Sequence, residues 1–197
     1  MGQSDLKDIS FFFKIQNYNF TWKFQVNFFI FAITIIQKTI KNKKMSKLQA
    51  RNEAIINAPI SSVWEIITDI KMLKKINPGV ITATGRMDKQ GETRTCEMEN
   101  RGKRGTMTEK LVELVHEQKT VWAIENDSMG MSKMLKDPRF CFYLERIGDN
   151  KTKIVNESYY EPANMMVRIM NALMMKRKMG EIQEKILTNI KSIAEKN

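Results

Sequence analysis

Cysteine is almost absent. Cys96 and Cys141 are the two in a chain of 197 residues, too few for a disulfide framework. Both sit in strand-like runs beside apolar neighbours and read as reduced, buried small hydrophobes in a reducing compartment. There is no CxxC and no His/Cys cluster, which argues against a structural zinc site; no metal and no cofactor is expected. Histidine is scarcer still. His116 stands alone, so a Ser/His/Asp triad has one place to hang and no supporting neighbours; the plainer reading is a polar residue at a strand end. The four prolines, Pro59, Pro78, Pro138 and Pro162, are expected at element boundaries. Hydrophobic residues at 42% and charged residues at 28% exclude a collagen, a low-complexity chain and a multi-span membrane protein.

Acidic residues are few relative to basic ones. Lys plus Arg is 33 against 22 for Asp plus Glu, a net charge of +11. That favours acidic partners: anionic lipid, nucleic acid or a carboxylate ligand. Nucleic acid is the weakest of these, because no aromatic–basic RNA motif or zinc finger is present. Two residue types are clustered. Six of the 15 methionines lie between Met165 and Met179, and eight of the 10 phenylalanines precede residue 32.

Residues 1–44 differ from the rest. Phe, Ile, Lys, Asn and Tyr fill 27 of these 44 positions, and seven Lys against two Asp give the segment +5 of the total charge. Its charge-free stretch, Phe24 to Ile36, makes a helix of about 20 Å, short of the roughly 30 Å of a hydrocarbon core. Three readings fit. Residues 11–36 anchor the chain in or on a membrane, with Lys38 to Lys47 on the cytoplasmic side. Or the protein starts at Met45 ("MSKLQARNEAIINAP") and the upstream residues are read-through of A/T-rich sequence. Or the segment is a disordered tail. Residues 45–197 read as one cytoplasmic domain.

Within it, Gln49 to Asn57 is the first strand. A helix follows Pro59, with Ser62 and Glu65 at capping-box spacing, and Asp69 caps a second short helix that Asn77-Pro78-Gly79 ends. Strand patterns then recur: Val80–Met87, Thr93–Asn100, Met107–His116, Thr120–Asn126, a run through Phe140, Phe142 and Leu144, and Lys153–Tyr160. Arg101–Gly105 is a basic hairpin and Gly148-Asp149-Asn150 a tight turn. From Pro162 to about Lys196 the pattern is helical, but its apolar positions form two stripes. Met166, Ile169, Met170 and Leu173 share one face; Met175, Met179, Ile182, Ile186, Ile190 and Ile193 share another, about half a turn away. Either the helix breaks near Met174-Met175, or its first half keeps an apolar face for something other than the core.

One antiparallel sheet cannot bury its concave face alone, and a long helix laid across it can. The expected fold is therefore α+β, a helix-grip: about seven antiparallel strands curved around a long C-terminal helix, with two short helices after the first strand. The residues "INAPISSVWEIITDI", "NPGV", "GDNKTKIVNESYYEP" and "ILTNIKSIAEK" resemble the polyketide cyclase/dehydrase-like branch of the START-like (SRPBCC) superfamily, over about residues 48–195. The resemblance implies an apolar cavity between sheet and helix that binds a lipid-like or polyketide-like molecule. It fits a non-enzymatic carrier, with a cyclase- or hydratase-like enzyme as the alternative.

The residues expected to line such a cavity are Met98, Met107, Trp122, Ile124, Phe140, Phe142, Met166, Met170, Leu173 and Met174, with Tyr159 or Tyr160 on the wall. Met suits an adaptable apolar site, and plain core packing is the alternative. Asp127–Pro138 ("DSMGMSKMLKDP") is very apolar for a loop and reads as a lid, or as a loop folded onto the core. Of the strand acids, Glu97 and Glu99 are expected outside. Glu109 shares parity with Met107 and Leu111 and is the best candidate for a general acid or base. Arg168 and Lys176–Lys178 edge the Met-rich half of the last helix, a combination suited to an anionic membrane surface.

Overall fold

The computed structural model describes residues 46–100 and 102–196. The readings for residues 1–44, and Arg101 of the basic hairpin, lie outside the described residues. The chain order is β1 (Leu48–Ile56), α1 (Ile60–Thr68), a 3-10 turn (Ile70–Met72), α2 (Leu73–Ile76), then six strands. These are β2 (Val80–Gly85), β3 (Thr93–Asn100), β4 (Lys103–Val115), β5 (Lys119–Asp127), β6 (Leu135–Gly148) and β7 (Lys151–Pro162), with a short helical turn α3 (Met131–Met134) before β6. The chain closes with α4 (Met165–Met170), a π-helical turn (Asn171–Met175) and α5 (Lys176–Ala194).

The seven strands form one antiparallel sheet in the order β1-β7-β6-β5-β4-β3-β2. Strands β2 to β7 are a meander of neighbours. Only β1 breaks the sequence, pairing with β7 at the far edge. The short helices therefore carry the chain from one edge of the sheet to the other. There they meet the buried side of α5, and Val63, Trp64, Ile76, Leu111, Ile186 and Ile190 belong to one apolar core. Among the described residues, no helix is long and apolar enough to cross a membrane.

Local chemistry accounts for the junctions, with two corrections. Ser62 does not cap α1. Pro59 takes the N-cap position with ψ 151°, and its carbonyl accepts from Val63 N–H at 3.3 Å, so Ser62 falls inside the helix. Asp69 does cap the next turn, its Oδ1 accepting from Lys71 N–H at 2.9 Å. Pro138 is not at an element boundary but within β6. The register against β7 shifts between Lys136 and Arg139, and Asp137 there has φ +45°. A proline that cannot donate to the ladder is tolerated at such a bulge.

Gly85 ends β2 opposite Arg94, with φ +115°. A Cβ there would press on the Thr93 carbonyl oxygen and lie 2.8 Å from the Arg94 Cα, both backbone atoms that cannot step aside. Gly85→Ala is expected to cost about 1–3 kcal/mol, through both the φ and the clash. Urea unfolding measures this. A midpoint equal to that of the native sequence would contradict the close approach.

Candidate functional site

Strand pairing puts a single row of side chains on the concave face. Arg94 opposes Glu109, Cys96 opposes Met107, and Met98 opposes Gly105. Leu111 opposes Trp122 and Glu109 opposes Ile124. Trp122 opposes Phe140, and Thr120 opposes Phe142. Phe140 in turn opposes Ser158, and Phe142 opposes Asn156. Residues opposed in register share a face. Met98, Met107, Trp122, Ile124, Phe140 and Phe142 thereby fall on one side of the sheet.

The last helix divides this face in two. Gln183, Ile186, Leu187, Ile190 and Ala194 of α5 are buried. Leu111, Trp122 and Leu144 join the core cluster at that end; Met107, Ile124 and Phe140 lie outside it. Of Met165–Met175, only Val167 and Asn171 are buried. They stand four residues apart on the inner side of the helix. This turns the other apolar positions away. Met166 is 80% exposed and Leu173 78%, and Met174 is exposed too, so these three do not line the concave face as expected. Met170 is half-buried at its edge.

The polar groups of the face fall into two sets. Arg94 and Glu109 are both buried, and Arg94 Nε donates to Glu109 Oε2 at 2.7 Å. The guanidinium lies 3.8 Å from the Trp122 ring centroid, so ring and carboxylate replace the water it loses. The second set is neutral and lies under the helix. Tyr160 Oη donates to Asn171 Oδ1 at 2.7 Å, and Asn171 Nδ2 donates to Gln49 Oε1 at 3.1 Å. Gln183 Nε2 donates to Ser158 Oγ at 2.8 Å. Gln183 Oε1 and Thr120 Oγ1 are buried without a partner among the described residues. The register also decides the tyrosines: Tyr160 points inward, and Tyr159 is outward with its hydroxyl on Glu157.

Sequence reasoning missed Arg94, Asn171 and Gln183. Arg94 had a signal, because it shares strand parity with Cys96 and Met98. Asn171 had one too, as a polar residue four positions after Val167 inside a Met-rich run. Glu97 and Glu99 stand on the other face of β3, as expected from parity. The Asp127–Pro138 loop folds up on Asp127, whose carboxylate oxygens accept from Met131 and Ser132 N–H at 2.7 Å each. The Met134 carbonyl then accepts from Ala163 N–H at 2.8 Å, which ties the loop to the start of α4. His116 is exposed, edge-on to Trp64 with ring centroids 5.4 Å apart. Among the described residues, no group of three or more His, Cys, Asp or Glu is placed to hold a metal ion.

Comparison with known proteins follows the same outline. The sequence model of the family described as "Polyketide cyclase / dehydrase and lipid transport" matches residues 47–195. No curated protein sequence matches the chain. A START superfamily protein from Mycobacterium smegmatis is 12% identical, with a TM-score of 0.58 over 74% of this chain and 96% of its own. The Zhui aromatase/cyclase from Streptomyces sp. R1128 is 14% identical, with a TM-score of 0.59 over 74% and 92%. A major latex-like protein from Panax ginseng is 12% identical, with a TM-score of 0.54 over 73% and 95%. At these identities the likeness is one of fold.

Two outcomes test the site's chemistry. Burial pushes the thiols of Cys96 and Cys141 up to about 11. Both are expected to resist alkylation at pH 8 in the native protein and to react on unfolding; rapid native labelling would contradict their burial. Removing one partner of the ion pair, as in Glu109→Leu, is expected to cost about 3–5 kcal/mol. The double variant Arg94→Met/Glu109→Leu is expected to recover most of that, because no lone charge stays buried. Denaturant unfolding of both compares the two costs, and equal losses would show the pair to be stabilising in itself.

Proposed function

This chain belongs to the polyketide cyclase / dehydrase and lipid transport family, and we propose that it binds and carries one hydrophobic small molecule on the concave face beneath α4. One observation carries the reading. The buried charged groups on that face, Arg94 and Glu109, already satisfy each other, Asp127 opposite Met107 already accepts from Met131 and Ser132 N–H, and Tyr160 already donates to Asn171. What remains at the end outside the core is apolar: Met107, Ile124, Phe140 and the edge of Met170. A carrier needs such a surface and no reacting group.

One unpartnered acceptor refines the ligand. A buried acceptor without a donor costs about 1–3 kcal/mol. Gln183 Oε1, on the side chain that holds Ser158 opposite Phe140, is such an acceptor and favours an amphiphile that brings a hydroxyl or N–H along with its apolar body. Two buried free thiols fit a reducing, cytoplasmic setting.

The alternative is a cyclase- or hydratase-like enzyme on the same ligand. Its support is Glu109, a carboxylate on the concave face. To work as a general acid or base it has to exchange Arg94 for a substrate proton. The aromatase/cyclase named above shares the fold, which leaves the chemistry open.

Native mass spectrometry of the protein purified from its own host tests the carrier. A single non-covalent adduct of lipid-like mass is expected, lost on collisional activation. Ile124→Trp, which fills the concave face, is expected to abolish it while the fold persists. A protein that carries no adduct and takes none up from a lipid extract would overturn the reading. Turnover of the bound species, lost in Glu109→Gln while binding persists, would favour the enzyme.

A further inference from the structure

We propose that the outward face of the Met165–Met175 segment docks the protein on an anionic lipid bilayer, lying in the plane of the interface. At about 100° per residue, Met165, Met166, Ile169 and Leu173 fall on one side of the helix, opposite Val167 and Asn171. All four outward residues are exposed, from 56% for Ile169 to 80% for Met166. A core-facing helix buries its apolar stripe; this one buries Val167 with a hydrogen-bonded asparagine and presents the stripe to solvent. A contiguous apolar patch of this kind on a monomer marks a contact surface.

Charge complementarity selects the occupant. From Pro162 to Gly180 the sequence holds Arg168, Lys176, Arg177 and Lys178 and no acidic residue. Arg177 and Lys178 reach Glu181 at 3.5 and 3.7 Å, while among the described residues Arg168 and Lys176 have no carboxylate within 4.0 Å. The bond from Ala163 N–H to the Met134 carbonyl keeps α3, with its exposed Lys133, beside the start of this segment. Residues 1–44, at +5, carry the same sign as this rim and are a poor electrostatic match for it. Apolar side chains flanked by cations match a surface of acyl chains beneath anionic headgroups. Eleven helical residues span about 16 Å, too short to cross a bilayer and long enough to lie on one.

The inference deepens the carrier reading and rests on it, because the segment that docks is the one beneath which the ligand is proposed to sit. The test separates the two. The full chain is sedimented with vesicles of phosphatidylcholine alone, and with vesicles containing about one-third phosphatidylglycerol, at low and high salt. Binding to the anionic vesicles at low salt is expected. Met166→Ser/Leu173→Ser and Lys176→Glu/Arg177→Glu are each expected to weaken it about tenfold. Met166, Leu173, Lys176 and Arg177 lie outside the core, so circular dichroism and native-mass adducts are expected to stay as in the parent.

Absence of binding to anionic vesicles would overturn the docking and leave the carrier intact. Binding that both variants retain in full would overturn it as well, by placing lipid affinity elsewhere in the chain. Self-association removed by Leu173→Ser, with vesicle binding unaltered, would assign the face to a second copy instead. Loss of adducts with docking preserved would remove the carrier reading alone.

Discussion

A lone sheet has no second layer, and the contact between the Gln183–Ala194 side of α5 and the concave face supplies it. The other elements are arranged around that contact. The α1–α2 crossing connects the two sheet edges and packs into the same core as Ile186 and Ile190. Asn52 Nδ2 donates to the Gly180 carbonyl at 2.7 Å, which fixes the helix along β1. Where α5 gives way to the π turn, tight apolar packing ends and hydrogen bonds among Tyr160, Asn171 and Gln49 take over. Such bonds fix a position without filling a volume. The structure thus has a packed end and an end held at a few polar points.

The Arg94–Glu109 pair sits between these ends. Its contribution to stability is small or negative compared with apolar replacements, since two charges lose their hydration. Its value is geometric. The pair links β3 to β4 face-on, stacks on Trp122 of β5, and lies where Gly85 lets β2 come close. It also removes a free carboxylate from the concave face. The same interaction that organises this part of the sheet therefore also occupies the Glu109 carboxylate.

Much of the fold was legible because β periodicity is strict. Parity put Cys96 with Met98 on one face of β3, and Met107, Glu109 and Leu111 on one face of β4; the pairing of the two strands makes these the same face. What escaped was polar. Asn156 and Ser158 occupy inward positions of β7, and parity alone does not say that an inward residue is apolar. Tyr159 and Tyr160 are adjacent and equally aromatic, so only pairing with Arg139 and the inward turn of its neighbour separates them. The Ser62 cap failed for a different reason: Pro59 satisfies the geometry of a helix start without any side-chain bond.

The two stripes of the last helix show how a sequence pattern can point past the fold. A helix packed on one sheet has one inner side. Two apolar stripes about half a turn apart cannot both lie on it unless the backbone twists between them. A π turn adds one residue to a turn and rotates what precedes it by a fraction of a circle. The Asn171–Met175 turn does not bring the stripes together: Ile186 and Ile190 are buried while Met166 and Leu173 are exposed. The first stripe therefore contributes little to folding. Four large apolar side chains held in water with no share in the core are explained by something outside this domain. The cations beside them are the ground for the proposed docking on an anionic, apolar-backed surface.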